Sequence, residues 1–300
     1  MKQLIEKYLR FINLERGLSI NTILSYEIDL KQFSDFCAEK NILSIEELNQ
    51  KIISDYLTLL SKVGLTAKSI ARKISSLKNF SNYLIESGVA KKNPLELIDT
   101  PKLPKIIPTV LTFDEVNSIL NSVKPSNNPL LPMNLRDRAI LETLYATGIR
   151  ISELINLTTK DIFFEEEIIR VFGKGDKERI VPIGKPAIEA IKKYSIQVRI
   201  QILRKKNPTD ILFLNFHGKR FSRMGIWNIV NEAVKKSGIE QKIHPHTFRH
   251  TFATHLIEGG ADLRSVQEML GHAKITTTEI YTHIDRSMLK VEHQKYHPRG

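Results

Sequence analysis

Ile168-Ile-Arg-Val-Phe-Gly-Lys-Gly-Asp-Lys-Glu-Arg-Ile-Val-Pro-Ile183 decides the fold. Its two arms, Ile168–Phe172 and Arg179–Ile183, are rich in β-branched residues, and Gly173-Lys-Gly-Asp-Lys-Glu178 separates them. Such a pattern predicts a β-hairpin with a glycine-rich, basic tip. On either side of it the apolar residues recur at helical spacing. The fold class is therefore mostly α with a small antiparallel β-sheet.

Moving toward the N-terminus, Leu135–Thr147 reads as an amphipathic helix stopped by Gly148, and Ser152 is placed to cap a following helix containing Leu154, Ile155 and Leu157. Further back, Pro101-Lys-Leu-Pro-Lys-Ile-Ile-Pro108 holds three prolines in eight residues. Proline removes a backbone donor and pushes its neighbour toward extended conformations, so this stretch predicts a linker. Residues 1–100 then form a separate all-α bundle, and residues 109–300 a mixed α+β domain. In the bundle, Leu4, Ile5, Tyr8, Leu9 and Ile12 mark one helix, which Gly17 breaks. Ile23, Tyr26, Leu30, Phe33 and Cys37 mark a second. Ser44-Ile-Glu-Glu47 is a capping box that predicts a third. Thr66 caps a fourth, with Ile70, Ile74, Leu77 and Leu84 as its apolar stripe and an end near Gly88. Lys68, Arg72, Lys73, Lys78 and Asn79 make a polar stripe on that helix: a solvated face, or a face laid against DNA phosphates.

The chain of 300 residues carries a net charge of +12, with 41% hydrophobic and 26% charged residues. That is ordinary for a globular protein and excludes a disordered or fibrous one. No apolar run reaches the roughly 18 residues of a membrane span. The first residues mix acids and bases and do not read as a signal peptide. One cysteine, Cys37, excludes a disulfide scaffold or a cysteine zinc site and fits the cytoplasm. The positive surplus selects a polyanion partner, nucleic acid ahead of an acidic membrane. Residues 1–100 hold 14 Lys and Arg against 12 Asp and Glu, whereas residues 101–300 hold 31 against 21, so the second domain carries most of that attraction.

The second domain also holds the groups suited to a phosphate. Arg150 follows a glycine-terminated helix, and Lys174 sits between two glycines on the hairpin tip. His246 and Arg249 lie three apart in His244-Pro-His-Thr-Phe-Arg-His250, on one helix face, with Phe248, Phe252 and Leu256 buried opposite and Gly259-Gly260 as the stop. Asp262 caps a short helix that Gly271 ends, which places His272 at a helix terminus. Thr276-Thr-Thr-Glu279 is a second capping box and sets Tyr281 in the first two turns of a new helix. Singly, each residue reads as ordinary surface or packing; together, on a basic domain, they read as a site. Attack on a phosphodiester concentrates negative charge on the non-bridging oxygens, which arginine forks clamp. A tyrosine hydroxyl, with a pKa of about 10, needs a base or a strong positive field to act as nucleophile. A lysine beside arginines can be depressed enough to protonate a leaving hydroxyl. None of this needs a metal. His246 and His250 are spaced for zinc, but no HExxH, paired aspartates or cysteine ligands accompany them, and no phosphate-binding GxxxxGK[ST] loop is present.

Ala146-Thr-Gly-Ile-Arg-Ile-Ser-Glu-Leu154, Gly173–Arg179, His246-Thr-Phe-Arg-His250, Leu270-Gly-His272 and Thr277-Thr-Glu-Ile-Tyr281 resemble, in order and spacing, the motifs of the tyrosine recombinases of the phage-integrase family. The resemblance covers nearly the whole chain and is strongest to the bacterial Xer subfamily. It implies a core-binding helical domain and a catalytic domain that grip opposite faces of duplex DNA as a clamp. It implies strand cutting by Tyr281, leaving a 3′-phosphotyrosyl link and a free 5′-hydroxyl, with no cofactor, metal or ATP. Arg150 and Arg249 would hold the phosphate, Lys174 would be the general acid, His246 would act in acid–base catalysis and His272 would donate to the phosphate. Glu153, three residues after Arg150, is placed to orient it. Four protomers would assemble, of this chain alone or with a sister recombinase, each passing a segment of about 284–300 to its neighbour. The plainer reading of that tail is a frayed terminus. Chromosome-dimer resolution at segregation is the implied task, with a DNA translocase as candidate activator. The alternatives are a phage or transposon integrase, a DNA-binding regulator without catalysis, and a metal nuclease. One departure is Thr247-Phe248, where the family more often has an apolar pair.

Overall fold

Helical periodicity in the first hundred residues becomes four helices: α1 Lys2–Leu14, α2 Ile20–Glu39, α3 Gln50–Lys62 and α4 Ala67–Glu86. The computed structural model describes residues 1–16, 18, 20–42, 44–96, 98, 101, 109–123, 132–173, 177–204, 208–271 and 286–300, with Arg286 and Ser287 as backbone only. The chain divides into two units, Met1–Ile106 and Ile107–Gly300. Apart from Pro101, the expected linker lies outside the described residues.

In the first unit, each helix buries one stripe. Ile5, Tyr8 and Ile12 of α1 meet Leu30, Phe33 and Cys37 of α2, Ile53 and Tyr56 of α3, and Ile74, Leu77 and Phe80 of α4 in one core. Burying a side chain of this size contributes about 1.5–3 kcal/mol, and edge contacts such as Phe33 on Tyr56, 5.1 Å between ring centres, add to it. Burial pushes the Cys37 thiol up to about 11. Thr66 caps α4 as expected, its hydroxyl accepting from the Ser69 backbone N at 3.3 Å. The third helix does not start at Ser44. There the Ser44 hydroxyl accepts from the Glu46 backbone N, two residues on, at 3.2 Å. That closes a local turn instead of a helix. Asn49, with extended backbone, caps α3 through the Ile52 backbone N at 3.2 Å.

The second unit contains α5 Phe113–Ser122, α6 Met133–Thr147, α7 Ile151–Leu154, β1 Ile162–Phe163, β2 Ile168–Phe172, β3 Glu178–Pro182, α8 Lys185–Tyr194, α9 Ile200–Leu203, α10 Arg223–Ser237, α11 Pro245–Gly259, α12 Leu263–Leu270 and α13 Arg286–Tyr296. Helix α6 is buried around almost its whole circumference and packs against α5, α7, α8 and α11. It ends at Gly148, in the left-handed conformation with φ 57°. Ser152 does not cap the next helix. Arg150 does, and its backbone N donates to Glu153 Oε2 at 2.7 Å, leaving α7 a single turn. The expected hairpin is present as β2 and β3, antiparallel, with Ile169 opposite Val181 and Val171 opposite Arg179. A short third strand, β1, pairs with β2 on its other side. Alternation turns Ile169, Val171 and Val181 into the core.

The tail is no frayed end. Leu289, His293 and His297 are buried in the second unit of the same chain. His293 Nε2 meets the Ala146 carbonyl at 2.7 Å, and the His293 and His297 rings stack 4.8 Å apart. Arg299 donates to Asn117 Oδ1 at 2.9 Å and lies 3.5 Å from the buried carboxylate of Glu142. Among the described residues, no helix is long and apolar enough to cross a membrane.

Candidate active site

The candidate groups are set by turns, because a turn between two buried elements fixes where a side chain starts. Gly148 and Ile149 lead from buried α6 to Arg150, whose side chain remains 38% exposed. Its Nη1 donates to Glu153 Oε1 at 2.9 Å, and its Nη2 points to the Gly271 carbonyl at 3.4 Å. Arg249 comes from α11, anchored by buried Phe248 and Phe252. It donates through Nη1 to the Gly148 carbonyl at 2.7 Å and through Nη2 to the Leu270 carbonyl. The two guanidinium groups thus converge on the Leu270–Gly271 turn from two motifs far apart in sequence. Burial, together with the charge of Arg150, pulls Arg249 down to about 10, so it stays a cation at neutral pH.

Glu153 lies beneath them, almost fully buried. Burial alone would raise its pKa, but the hydrogen bonds and charge of Arg179 and Arg150 outweigh that and hold the carboxyl below its usual range. Arg179 Nη1 and Nη2 donate to the two carboxylate oxygens at 2.9 and 2.8 Å, the bidentate geometry of a strong pair. Two arginines therefore grip one carboxylate while Arg249 binds the neighbouring carbonyls, and the surplus positive charge gathers at the turn before residue 272. Such a field is suited to an anion that grows more negative during reaction. Arg179 is a residue that the motifs do not single out, although the strand carries a signal for it. The alternation that puts Val181 inside puts Arg179, two residues earlier on the strand, on the same face.

His246 sits exposed on the first turn of α11, one turn before Arg249. Lys174, His272 and Tyr281 lie outside the described residues, as does the capping box at Thr276–Glu279. Among the described residues, no three histidine, cysteine or acidic side chains stand together to hold a metal ion. Nearby on α11, His255 meets the Tyr145 hydroxyl at 2.9 Å through Nδ1.

On α4, Lys68 is exposed and Arg72 is half exposed while bound to Asp29. Lys73 is a correction. It is 4% exposed, with its ammonium 2.9 Å from Asp29 Oδ1 and also bonded to Gln32. A cation buried in this way serves the bundle, not a phosphate. Lys78 likewise turns inward to the Ile98 carbonyl at 2.7 Å.

Comparison with known proteins gives the family. Residues 109–288 match the phage integrase family, and residues 5–88 match the phage integrase N-terminal SAM-like domain. The tyrosine recombinase XerD of Staphylococcus aureus is 46% identical over 300 residues, covering all of both chains. The XerH site-specific recombinase, in a post-cleavage complex with palindromic difH substrate, is 25% identical. It covers 92% of this chain and 80% of its own, with a TM-score of 0.71. A lambda integrase (75-356) dimer bound to a COC′ core site shares the fold at 20% identity, covering 95% of this chain and 99% of its own, with a TM-score of 0.69. The chain belongs to the phage integrase family and is a tyrosine recombinase of the Xer type.

Proposed function

We propose that this recombinase exchanges strands between two specific duplex DNA sites through a covalent bond to Tyr281, and that its task is the resolution of chromosome dimers in the cytoplasm. The observation that carries the reading is the convergence of Arg150 and Arg249 on the turn that leads directly into His272. A phosphodiester held there meets two guanidinium forks, with His272 as a further donor. The Tyr281 oxygen attacks phosphorus, and its proton passes to His246. The bond from phosphorus to the 5′-oxygen breaks, and Lys174 gives that oxygen its proton. The 3′-phosphotyrosyl link keeps the bond energy, so the 5′-hydroxyl of a partner strand can reverse the step without ATP, and the arginines supply the charge that a metal would otherwise provide.

The helical unit, residues 1–100, is proposed to bind core DNA, with Lys68 and Arg72 on the phosphate side. Four protomers assemble, alone or with a sister recombinase. The segment of about 284–300, whose helix α13 packs on its own chain here, passes to a neighbour in that assembly. A DNA translocase is the candidate activator.

The test is a suicide substrate nicked beside the scissile phosphate, incubated with the full chain, followed by mapping of the DNA-linked residue. An adduct at Tyr281 that survives EDTA and vanishes in Tyr281→Phe, with DNA affinity kept, is the expected result. An adduct at another residue, or cleavage stopped by EDTA, overturns the mechanism.

A further inference from the structure

Arg179 belongs to the β2–β3 hairpin, yet its side chain leaves that hairpin and binds two other segments. Its Nε donates to the Met269 carbonyl at 2.7 Å, inside the last turn of α12. Its two terminal nitrogens grip both oxygens of Glu153, which in turn receives the backbone N and Nη1 of Arg150. The fit around it is close. A Cβ added to Gly271 would stand 3.0 Å from Arg179 Cδ and 3.1 Å from its Nη1. One added to Gly173, where the hairpin leaves β2, would stand 3.7 Å from the same nitrogen. The side chain is 9% exposed, so water does not compete for these bonds.

Three segments meet at this guanidinium. One carries Arg150, one carries Lys174 just beyond Gly173, and one carries His272 just beyond Gly271. They lie far apart in sequence. Arg150 also reaches the Gly271 carbonyl, but only at 3.4 Å, whereas Arg179 ties Glu153 to Met269 through three bonds of 2.7–2.9 Å. Building on the function proposed above, we propose that Arg179 is a positioning residue for strand cleavage. It locks Glu153 so that Arg150 presents its remaining N–H donors to the phosphate, and it holds the Leu270–Gly271 turn from which the chain continues to His272. It touches no DNA itself. Lysine cannot replace it, because one ammonium cannot span two carboxylate oxygens and a carbonyl at once.

A merely structural ion pair would change stability and nothing else. A positioning residue changes the chemical step at constant DNA affinity, and through a named partner. The experiment compares the full-length wild type, Arg179→Met, Arg179→Lys, Glu153→Gln and the double variant Arg179→Met/Glu153→Gln. Single-turnover adduct formation on the nicked substrate is read beside DNA affinity and thermal unfolding. Displacing reacting groups by about 1 Å costs about 100-fold, so the expected loss of cleavage rate is about 10- to 100-fold, with affinity held within about twofold. The double variant should be no slower than the slower single variant, because both changes break one linkage. In Arg179→Met the Glu153 carboxyl loses its first partner, and the cleavage rate should fall at a higher pH on the acid side than in wild type.

Unchanged cleavage in a folded Arg179 variant overturns the proposal. So do additive losses in the double variant, or cleavage and affinity falling together. If Arg179→Met does not fold, Arg179→Lys decides on the same criteria. If wild type forms no adduct at Tyr281, the proposed function fails instead, whereas a wild-type adduct matched by the variants sinks only the role of Arg179.

Discussion

Replacing Gly148 by alanine tests how tightly the site is built. The residue has φ 57°, and an added Cβ would stand 2.4 Å from Cδ1 and 2.8 Å from Cγ of Phe252. Two costs arise. A left-handed conformation costs a residue with a Cβ about 1–2 kcal/mol. An extra carbon in a filled core costs about 1–3 kcal/mol more, and Phe252 has no free space to retreat into, being wholly buried and packed against the His297 ring at 5.1 Å. The sum is about 2–5 kcal/mol. At about 2–4 °C per kcal/mol for a domain of this size, unfolding should move down by about 4–20 °C. Gly238 separates the two costs. It is also left-handed, with φ 79°, but nothing lies within 4 Å of its would-be Cβ, so Gly238→Ala carries the backbone cost alone. Urea or thermal unfolding of both variants is the assay. Adding Phe252→Leu should recover part of the Gly148→Ala loss, since it removes the atoms in the way. If Gly148→Ala and Gly238→Ala lose the same stability, the packing reasoning is wrong. Because the Gly148 carbonyl also accepts from Arg249, residual cleavage by the folded variant should be slow.

Asp29→Ala should cost about 3–5 kcal/mol, because it strands the buried ammonium of Lys73, whereas Lys68→Ala should leave the melting temperature alone and lower the salt slope of DNA binding by about one; chemical unfolding and salt-dependent affinity measurements separate the two. Burial depresses His293 to about 4 and His297 well below its usual value, so the folded state stays neutral where the unfolded chain protonates. Stability from these groups is therefore complete above about pH 6.5 and falls toward pH 4, by up to about 1.4 kcal/mol per pH unit for each. Unfolding in urea at pH 7 and pH 5 checks this, and His293→Gln, which keeps a donor for the Ala146 carbonyl, should flatten the dependence; equal slopes would refute it. Asp262→Ala removes the cap on the Ser265 backbone N, 2.9 Å away, and should cost about 1 kcal/mol in thermal unfolding.

Helices were legible in the sequence wherever one stripe alone met the core, as in α1, α2 and α4, and wherever a side chain or glycine signalled an end, as at Thr66 and Gly148. The hairpin was legible because β-branched residues cluster nowhere else so closely around a glycine-rich tip. Strand β1 was not, since two residues carry no period. Ser44 misled because the same hydroxyl that caps a helix also closes a tight turn, and only the backbone path of the next few residues decides between them. In the candidate site, the motifs pointed to Arg150, Glu153 and Arg249, which the fold brings together. Their shared target, the Leu270–Gly271 turn, was hidden, because carbonyl acceptors leave no mark in a sequence. Lys73 was misplaced for a similar reason: its partner Asp29 lies 44 residues away, and only the packing of α2 on α4 brings them together.

The chain's one cysteine lies in the bundle core with its thiol pushed up to about 11. A thiol held protonated and shielded from solvent does not react with maleimides at neutral pH. The native protein is therefore already a silent background for spectroscopic labelling. A single substitution such as Val291→Cys, on the exposed side of α13, would carry the only dye, so a change in its emission would report the movement of that helix alone.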